Sequence, residues 1–207
     1  MIITKKFTTE TSHRVLSCTS KKCNSLHGHS YTIEVSLEGS PLNQANMVLD
    51  FSAMKETIKP FIESFDHCQI FTLFDDPDYV SFMKKTCNRW IEAPFNLSCE
   101  MMSLMIFKYC EVILNRTNFT NDEEPKVYSI TVHETATGRC TVFKDDVEKY
   151  FKNEWINQIN FSHDVVSEWP EQLKNIIFDN SYIYDSVKIE KQVDFSWLNN
   201  SSTPNGN

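Results

Sequence analysis

The chain has 207 residues, 41% of them hydrophobic, and a formal charge of −8. That length accommodates one domain with a real core plus an appendage, and the acidic balance argues against a general nucleic-acid surface. No apolar run approaches the length needed to cross a bilayer, and the polar start Met1-Ile2-Ile3-Thr4-Lys5-Lys6 lacks the apolar core of a secretion signal, which points to the cytoplasm.

In chain order, residues 2–13 read as a first strand and residues 28–38 as a second. In the latter Tyr31, Ile33, Val35 and Leu37 alternate with Thr32, Glu34, Ser36 and Glu38, the period of two of a sheet with one covered face. Gly39-Ser40-Pro41-Leu42-Asn43 ends it. Asp50 is placed to cap a helix carrying Phe51, Met54, Ile58, Phe61 and Phe65, which Pro60 should kink. Between Gln69 and Pro94 the pattern gives only a turn at Asp75-Asp76-Pro77-Asp78 and a short helical stretch from Val80 to Ile91. Ser98 opens a helix with Met102, Met105, Ile106, Tyr109 and Ile113 on one face, a core stripe. Residues 127–134 return to a period of two with Tyr128, Ile130 and Val132 on one face. Gly138 then turns the chain into a last strand from Cys140 to Phe143.

The order strand, strand, helix, helix, strand, strand predicts an α+β layer: two helices on one face of a four-stranded antiparallel sheet. Residues 145–207 form a C-terminal extension with 11 acids against 5 bases, which leaves residues 1–144 at only −2. The spacing of Val147, Phe151, Trp155 and Ile159 predicts one amphipathic helix over 145–159, a second is expected over 170–178, and Ser201 to Asn207 should be disordered.

The densest chemistry lies in Cys23-Asn-Ser-Leu-His-Gly-His-Ser-Tyr31. His27 and His29 are two apart, so in an extended chain both imidazoles share a face at roughly 6.6 Å and can turn toward one ion. Catalytic zinc takes three protein ligands and keeps a position open, and His13, at the end of the other strand, is the candidate for the third. The bland alternative is two surface histidines and one core histidine. Cys23, four residues before His27, weighs against it, and Arg14, Lys21 and Lys22 nearby could meet an anionic substrate. The seven cysteines contain no Cys-x-x-Cys pair, so neither a disulfide framework nor a thiolate zinc finger is indicated.

Ser12-His13-Arg14, the Cys-x-x-x-His-Gly-His run, Met47-Val48-Leu49-Asp50-Phe51, Phe65-Asp66-His67, Pro94-Phe95-Asn96 with Glu100, and His133-Glu134-Thr135 follow one another in order. Together they resemble the motifs of the 6-pyruvoyltetrahydropterin synthase and 6-carboxytetrahydropterin synthase superfamily over residues 1–144. The resemblance implies a tunnelling fold whose sheets join edge to edge into a barrel, zinc on His13, His27 and His29, and a homo-hexamer of two trimers with sites between subunits. It implies 7,8-dihydroneopterin triphosphate as substrate. Cys23 would take the proton, Asp66 and His67 would relay it, and Glu134 would grip the pterin. Glu100, Ser98, Thr135 and the three basic residues Arg14, Lys21 and Lys22 would be further substrate contacts.

Three residues separate Cys23 from His-Gly-His, the short spacing of the 6-carboxy branch. That branch implies a lyase releasing acetaldehyde on a route to deazaguanine compounds such as queuosine. The alternatives are the 6-pyruvoyl reaction of the tetrahydrobiopterin type and a non-catalytic zinc and pterin-binding module with an acidic tail. The chain departs from the family pattern at Leu97-Ser98, where Pro-Thr is usual, at Ile70-Phe71, where Leu-Asn is usual, and at Asn46, where glycine is usual.

Overall fold

A computed structural model describes residues 1–43, 45–119 and 124–186. Strand β1 (Ile2–His13) pairs antiparallel with β2 (His27–Glu38) in one unbroken register from Ile2 opposite Glu38 to His13 opposite His27. Between them, α1 (Lys21–Asn24) is a single turn whose Cys23 N–H is accepted by the Ser20 hydroxyl. Gly28 sits opposite Ser12, and a Cβ there would stand 3.2 Å from the Thr11 carbonyl, so a larger residue would push the two strands apart.

Asn46 takes a φ of 62°. Asparagine is among the few non-glycine residues that occupy this left-handed region readily, so the family's glycine is replaced without losing the turn. Asp50 caps α2 (Phe51–Thr57) through the Ser52 N–H, and Pro60 divides the expected long helix into α2, α3 (Lys59–Ile62) and a 3-10 turn at Glu63–Phe65.

The segment that showed no pattern contains β3 (Cys68–Thr72), α4 (Pro77–Thr86) and β4 (Trp90–Ala93). Asp76 caps α4 with Pro77 at its first position, so the helix starts and ends earlier than 80–91. Both strands escaped detection because they are buried on both faces, all five residues of β3 included, and such strands show no alternation. Helix α5 (Cys99–Asn115) starts at Ser98, whose hydroxyl accepts from the Met101 N–H. It is followed by β5 (Thr117–Asn118), β6 (Lys126–His133) and β7 (Arg139–Val142).

A bulge between Ser36 and Leu37 pairs Leu37 with Val127 and Ser36 with Ser129, which makes Tyr128 the extra residue. The inner face of β6 therefore carries Val127, Ile130 and Val132, while Tyr128, expected inward, is exposed.

Past β7 the single helix expected over 145–159 is replaced by α6 (Lys144–Tyr150), a 3-10 turn at Asn153–Asn157 and β8 (Asn160–Phe161). The apolar spacing there serves tertiary packing instead: Phe151 and Trp155 close on Phe95 with ring centroids 5.8 and 5.0 Å away. Helices α7 (His163–Ser167) and α8 (Glu171–Phe178) and the short β9 (Tyr184–Asp185) complete the described chain. The expectation for Ser201 to Asn207 falls outside the described residues.

The fold is thus α+β as expected, but among the described residues the main sheet has seven strands, in the order β7-β6-β2-β1-β3-β4-β8. The four antiparallel strands of the sequence reading form one half of it. The other half corrects that reading: β3 runs parallel to β1 and to β4, and β8 closes the row antiparallel to β4. One apolar cluster joins the inner face to α5 and α3, with Phe61 stacked on Tyr109 at 4.5 Å.

Candidate metal centre and active site

The unbroken β1–β2 register puts His13 and His27 on the last rung, and strand alternation puts His29 on the same face. The three ring centroids lie 4.6, 4.9 and 5.4 Å apart, and one ligand nitrogen from each ring lies within 4.8 Å of the others. The His13 Nδ1 is 2.7 Å from the Leu97 carbonyl, and the His27 Nδ1 is 2.7 Å from the Ser25 carbonyl. A carbonyl can only accept, so each ring carries its proton on Nδ1 and leaves the Nε2 lone pair free, the arrangement that metal-ligating imidazoles show. Burial lowers the His13 pKa, opposed by the Leu97 carbonyl and the Glu134 carboxylate, so the ring is neutral at physiological pH, as a ligand must be. Three converging imidazoles at a partly open position fit a catalytic zinc.

Glu134, just beyond β6, places Oε1 3.9 Å from His13 Nε2 and 3.8 Å from His29 Nε2. The buried Tyr31 hydroxyl reaches the same space, 3.2 Å from His13 Nε2 and 3.4 Å from Glu134 Oε1. Burial, with Glu134 beside it, raises the Tyr31 pKa far above its ordinary value, so this phenol remains a hydrogen-bond donor. Tyr31 was read from the sequence only as a core residue. Its parity with His27 and His29 along β2 is the signal that places it at the site.

The loop carrying Cys23 closes over this end of the ribbon. The Val15 N–H donates to the Cys23 carbonyl at 2.8 Å, one step past the His13 and His27 rung. Asn96 holds the same loop by two 3.0 Å bonds to the backbone of Leu16. Lys21 and Lys22 are exposed and make no salt bridge among the described residues. Arg14 is differently placed: it pairs with the fully buried Asp75 carboxylate and lies over the Tyr79 ring at 4.1 Å, so its charge is already compensated and it acts as a strut. Ser98 spends its hydroxyl on capping α5, Glu100 is exposed in the first turn of that helix, and Thr135 accepts from the Gly138 N–H at 2.9 Å.

Asp66 and His67 occupy a turn before β3. Asp66 Oδ2 lies 2.9 Å from His67 Nδ1, and its Oδ1 accepts the Glu10 N–H at 2.9 Å. Burial alone would raise the Asp66 pKa, but the Glu10 N–H, His67 and Arg89 together hold it below the ordinary value. His67 is mostly exposed at a φ of 50° and lines an open groove with Glu10, Thr11, Ser12, Gly28, His29, Ser30 and Cys68. Glu10, Ser12, Gly28 and Ser30 alternate with the histidine face of β1 and β2, whereas Thr11 and His29 belong to it.

These features define an α+β protein with a three-histidine, carboxylate-flanked cluster at the end of a β-ribbon, a candidate metal site. The chain belongs to the 6-pyruvoyl tetrahydropterin synthase family, whose profile matches residues 2–145. A protein of Helicobacter pylori named 6-carboxy-5,6,7,8-tetrahydropterin synthase is 35% identical over 198 residues, covering 94% of this chain and 96% of that protein. That match takes in the extension. A protein of the same name from Haemophilus influenzae is 28% identical over 144 residues, 67% of this chain and 95% of its own. Among solved structures, an uncharacterised protein from Wolinella succinogenes shares the fold with a TM-score of 0.58 at 21% identity, covering 70% of this chain and 98% of its own.

Proposed function

We propose that the chain is a zinc-dependent lyase, a 6-carboxy-5,6,7,8-tetrahydropterin synthase. It converts 7,8-dihydroneopterin triphosphate, with uptake of one water, to 6-carboxy-5,6,7,8-tetrahydropterin, acetaldehyde and triphosphate, as a cytoplasmic step toward deazaguanine compounds of the queuosine type. The observation that carries the reading is the convergence of His13, His27 and His29 beside the Glu134 carboxylate. The full-length similarity to the Helicobacter protein and the three-residue gap between Cys23 and His-Gly-His support this branch over the 6-pyruvoyl one.

Zinc on the three imidazoles would supply Lewis-acid polarisation of the substrate's side-chain hydroxyls. The remaining work falls to the protein's own groups. The Glu134 carboxylate accepts two donors from the guanidine-like edge of the pterin, and Tyr31 holds that carboxylate in place. Cys23 removes a proton from the side-chain carbon, for which its thiol must be held as thiolate. His67, oriented through Nδ1 by Asp66, relays the proton. Lys21 and Lys22 meet the triphosphate. Ser98, Thr135 and Glu100 serve as further substrate contacts.

The complete site forms between copies of the chain, with Cys23 and the histidines supplied by one copy and the Asp66–His67 pair by another. The edges of the outer strands β7 and β8 meet no further strand among the described residues and suit joining sheets into a ring, and trimers stacked as a hexamer satisfy both demands. Incubation of the purified protein with 7,8-dihydroneopterin triphosphate tests catalysis itself: substrate should disappear at a rate that falls with zinc removal. Tight binding without turnover would instead support the non-catalytic module.

A further inference from the structure

The turn that carries Asp66 and His67 is held from two sides. From β1, the Thr11 hydroxyl donates to the Phe65 carbonyl at 2.6 Å and the Glu10 N–H donates to Asp66. On the other side stands Arg89, one residue before β4. Its Nε donates to the Asp66 carbonyl at 2.9 Å, its Nη2 to the Glu63 carbonyl at 2.8 Å, and its Nη1 to the Glu168 carboxylate. Beside it the buried Trp169 indole donates to the Ser64 hydroxyl at 2.7 Å. Arg89, Glu168, Trp169, Glu63, Asp66 and His67 all line one cleft of about 510 Å³.

Glu168 and Trp169 lie in the extension, beyond the residues that the family profile matches. The extension reaches the turn because β8 docks on β4: Ser162 donates its N–H to the Trp90 carbonyl, and its hydroxyl accepts the Trp90 N–H. Trp169 is then locked between Phe161 and Phe178, with centroids 5.0 and 5.8 Å away. A guanidinium can serve three acceptors in fixed directions, and lysine cannot reproduce that fork.

Resting on the proposed relay, we infer that Arg89, braced by Glu168 of the extension while Trp169 holds Ser64 of the same turn, is a positioning residue that sets the Asp66–His67 turn in its catalytic geometry. His67 sits at a φ of 50°, a conformation seldom adopted without surrounding support. Arg89 bonds both the residue that orients the imidazole and the start of its turn. Misplacing a relay group by about 1 Å costs on the order of a hundredfold in rate.

The test compares Arg89→Lys, Trp169→Phe and His67→Ala in the full-length, zinc-loaded protein, by steady-state kinetics and by hydrogen–deuterium exchange of the peptide spanning residues 63–68. Arg89→Lys keeps the charge and Trp169→Phe keeps the ring, so both should fold. Each should speed exchange in that peptide alone and lower kcat, by about tenfold or more for Arg89→Lys, with KM within about twofold. Wild-type kcat in Arg89→Lys, with or without faster exchange, overturns the inference, and so does a loss confined to KM. His67→Ala separates the two failures. Wild-type kcat in His67→Ala removes the relay, and the inference with it. A loss in His67→Ala beside an unaffected Arg89→Lys removes only the positioning role.

Discussion

His13 and His27 face each other across the last rung of the β1–β2 ribbon, their ring centroids 4.6 Å apart and each Nδ1 committed to a backbone carbonyl. Everything proposed for the site follows from that rung, because it leaves two Nε2 lone pairs aimed into a space that His29 and Glu134 also border.

The purified protein should bind one zinc per chain. His29→Ala, half-buried and safe to truncate, should weaken zinc binding by more than about a hundredfold, whereas Tyr31→Phe should cost about tenfold in activity while zinc stays bound. Metal analysis by mass spectrometry, beside activity, checks both. Full zinc occupancy in a variant lacking all three histidines would end the assignment.

Cys23→Ala and His67→Ala should each lose on the order of a hundredfold or more in kcat with zinc retained. Because the proposed site takes the two side chains from different copies of the chain, co-expression should rescue them. A site built from two chains drawn at random has about one chance in four of receiving both intact groups. Mixed assemblies should therefore recover about a quarter of wild-type activity. No recovery in mixed oligomers would place both groups in one chain's site.

The depressed Asp66 pKa predicts a pH dependence. Its folded-state value lies below the unfolded value of about 3.9, so the stability it contributes is complete above that value and is lost as pH falls through the folded one. The carboxylate is about two-fifths exposed, so the effect is small. The stability advantage of wild type over Asp66→Asn should shrink as pH falls below about pH 4, read as the difference in Tm. An advantage that grew below that pH would contradict the sign.

The half of the fold that was legible in the sequence is the half with one wet face. Alternation in β2 and the Asp50 and Ser98 caps translate directly into structure. Strands β3 and β4 were invisible because burial on both sides erases the period of two. Tyr128 was misplaced by a bulge that no local pattern announces. The extension misled because four-residue apolar spacing suits a helix, yet Phe151 and Trp155 pack on Phe95 instead. At the site the histidines were readable from spacing, but Leu97, Asn96 and Asp75 act through a backbone carbonyl, a loop clamp and a buried counter-charge, which appear only once the chain has folded.

The product of the reaction distinguishes the 6-carboxy from the 6-pyruvoyl branch. Given 7,8-dihydroneopterin triphosphate, the zinc-loaded protein should release acetaldehyde and 6-carboxy-5,6,7,8-tetrahydropterin in equal amounts, read by mass spectrometry with an acetaldehyde assay. Accumulation of 6-pyruvoyltetrahydropterin without acetaldehyde would contradict it.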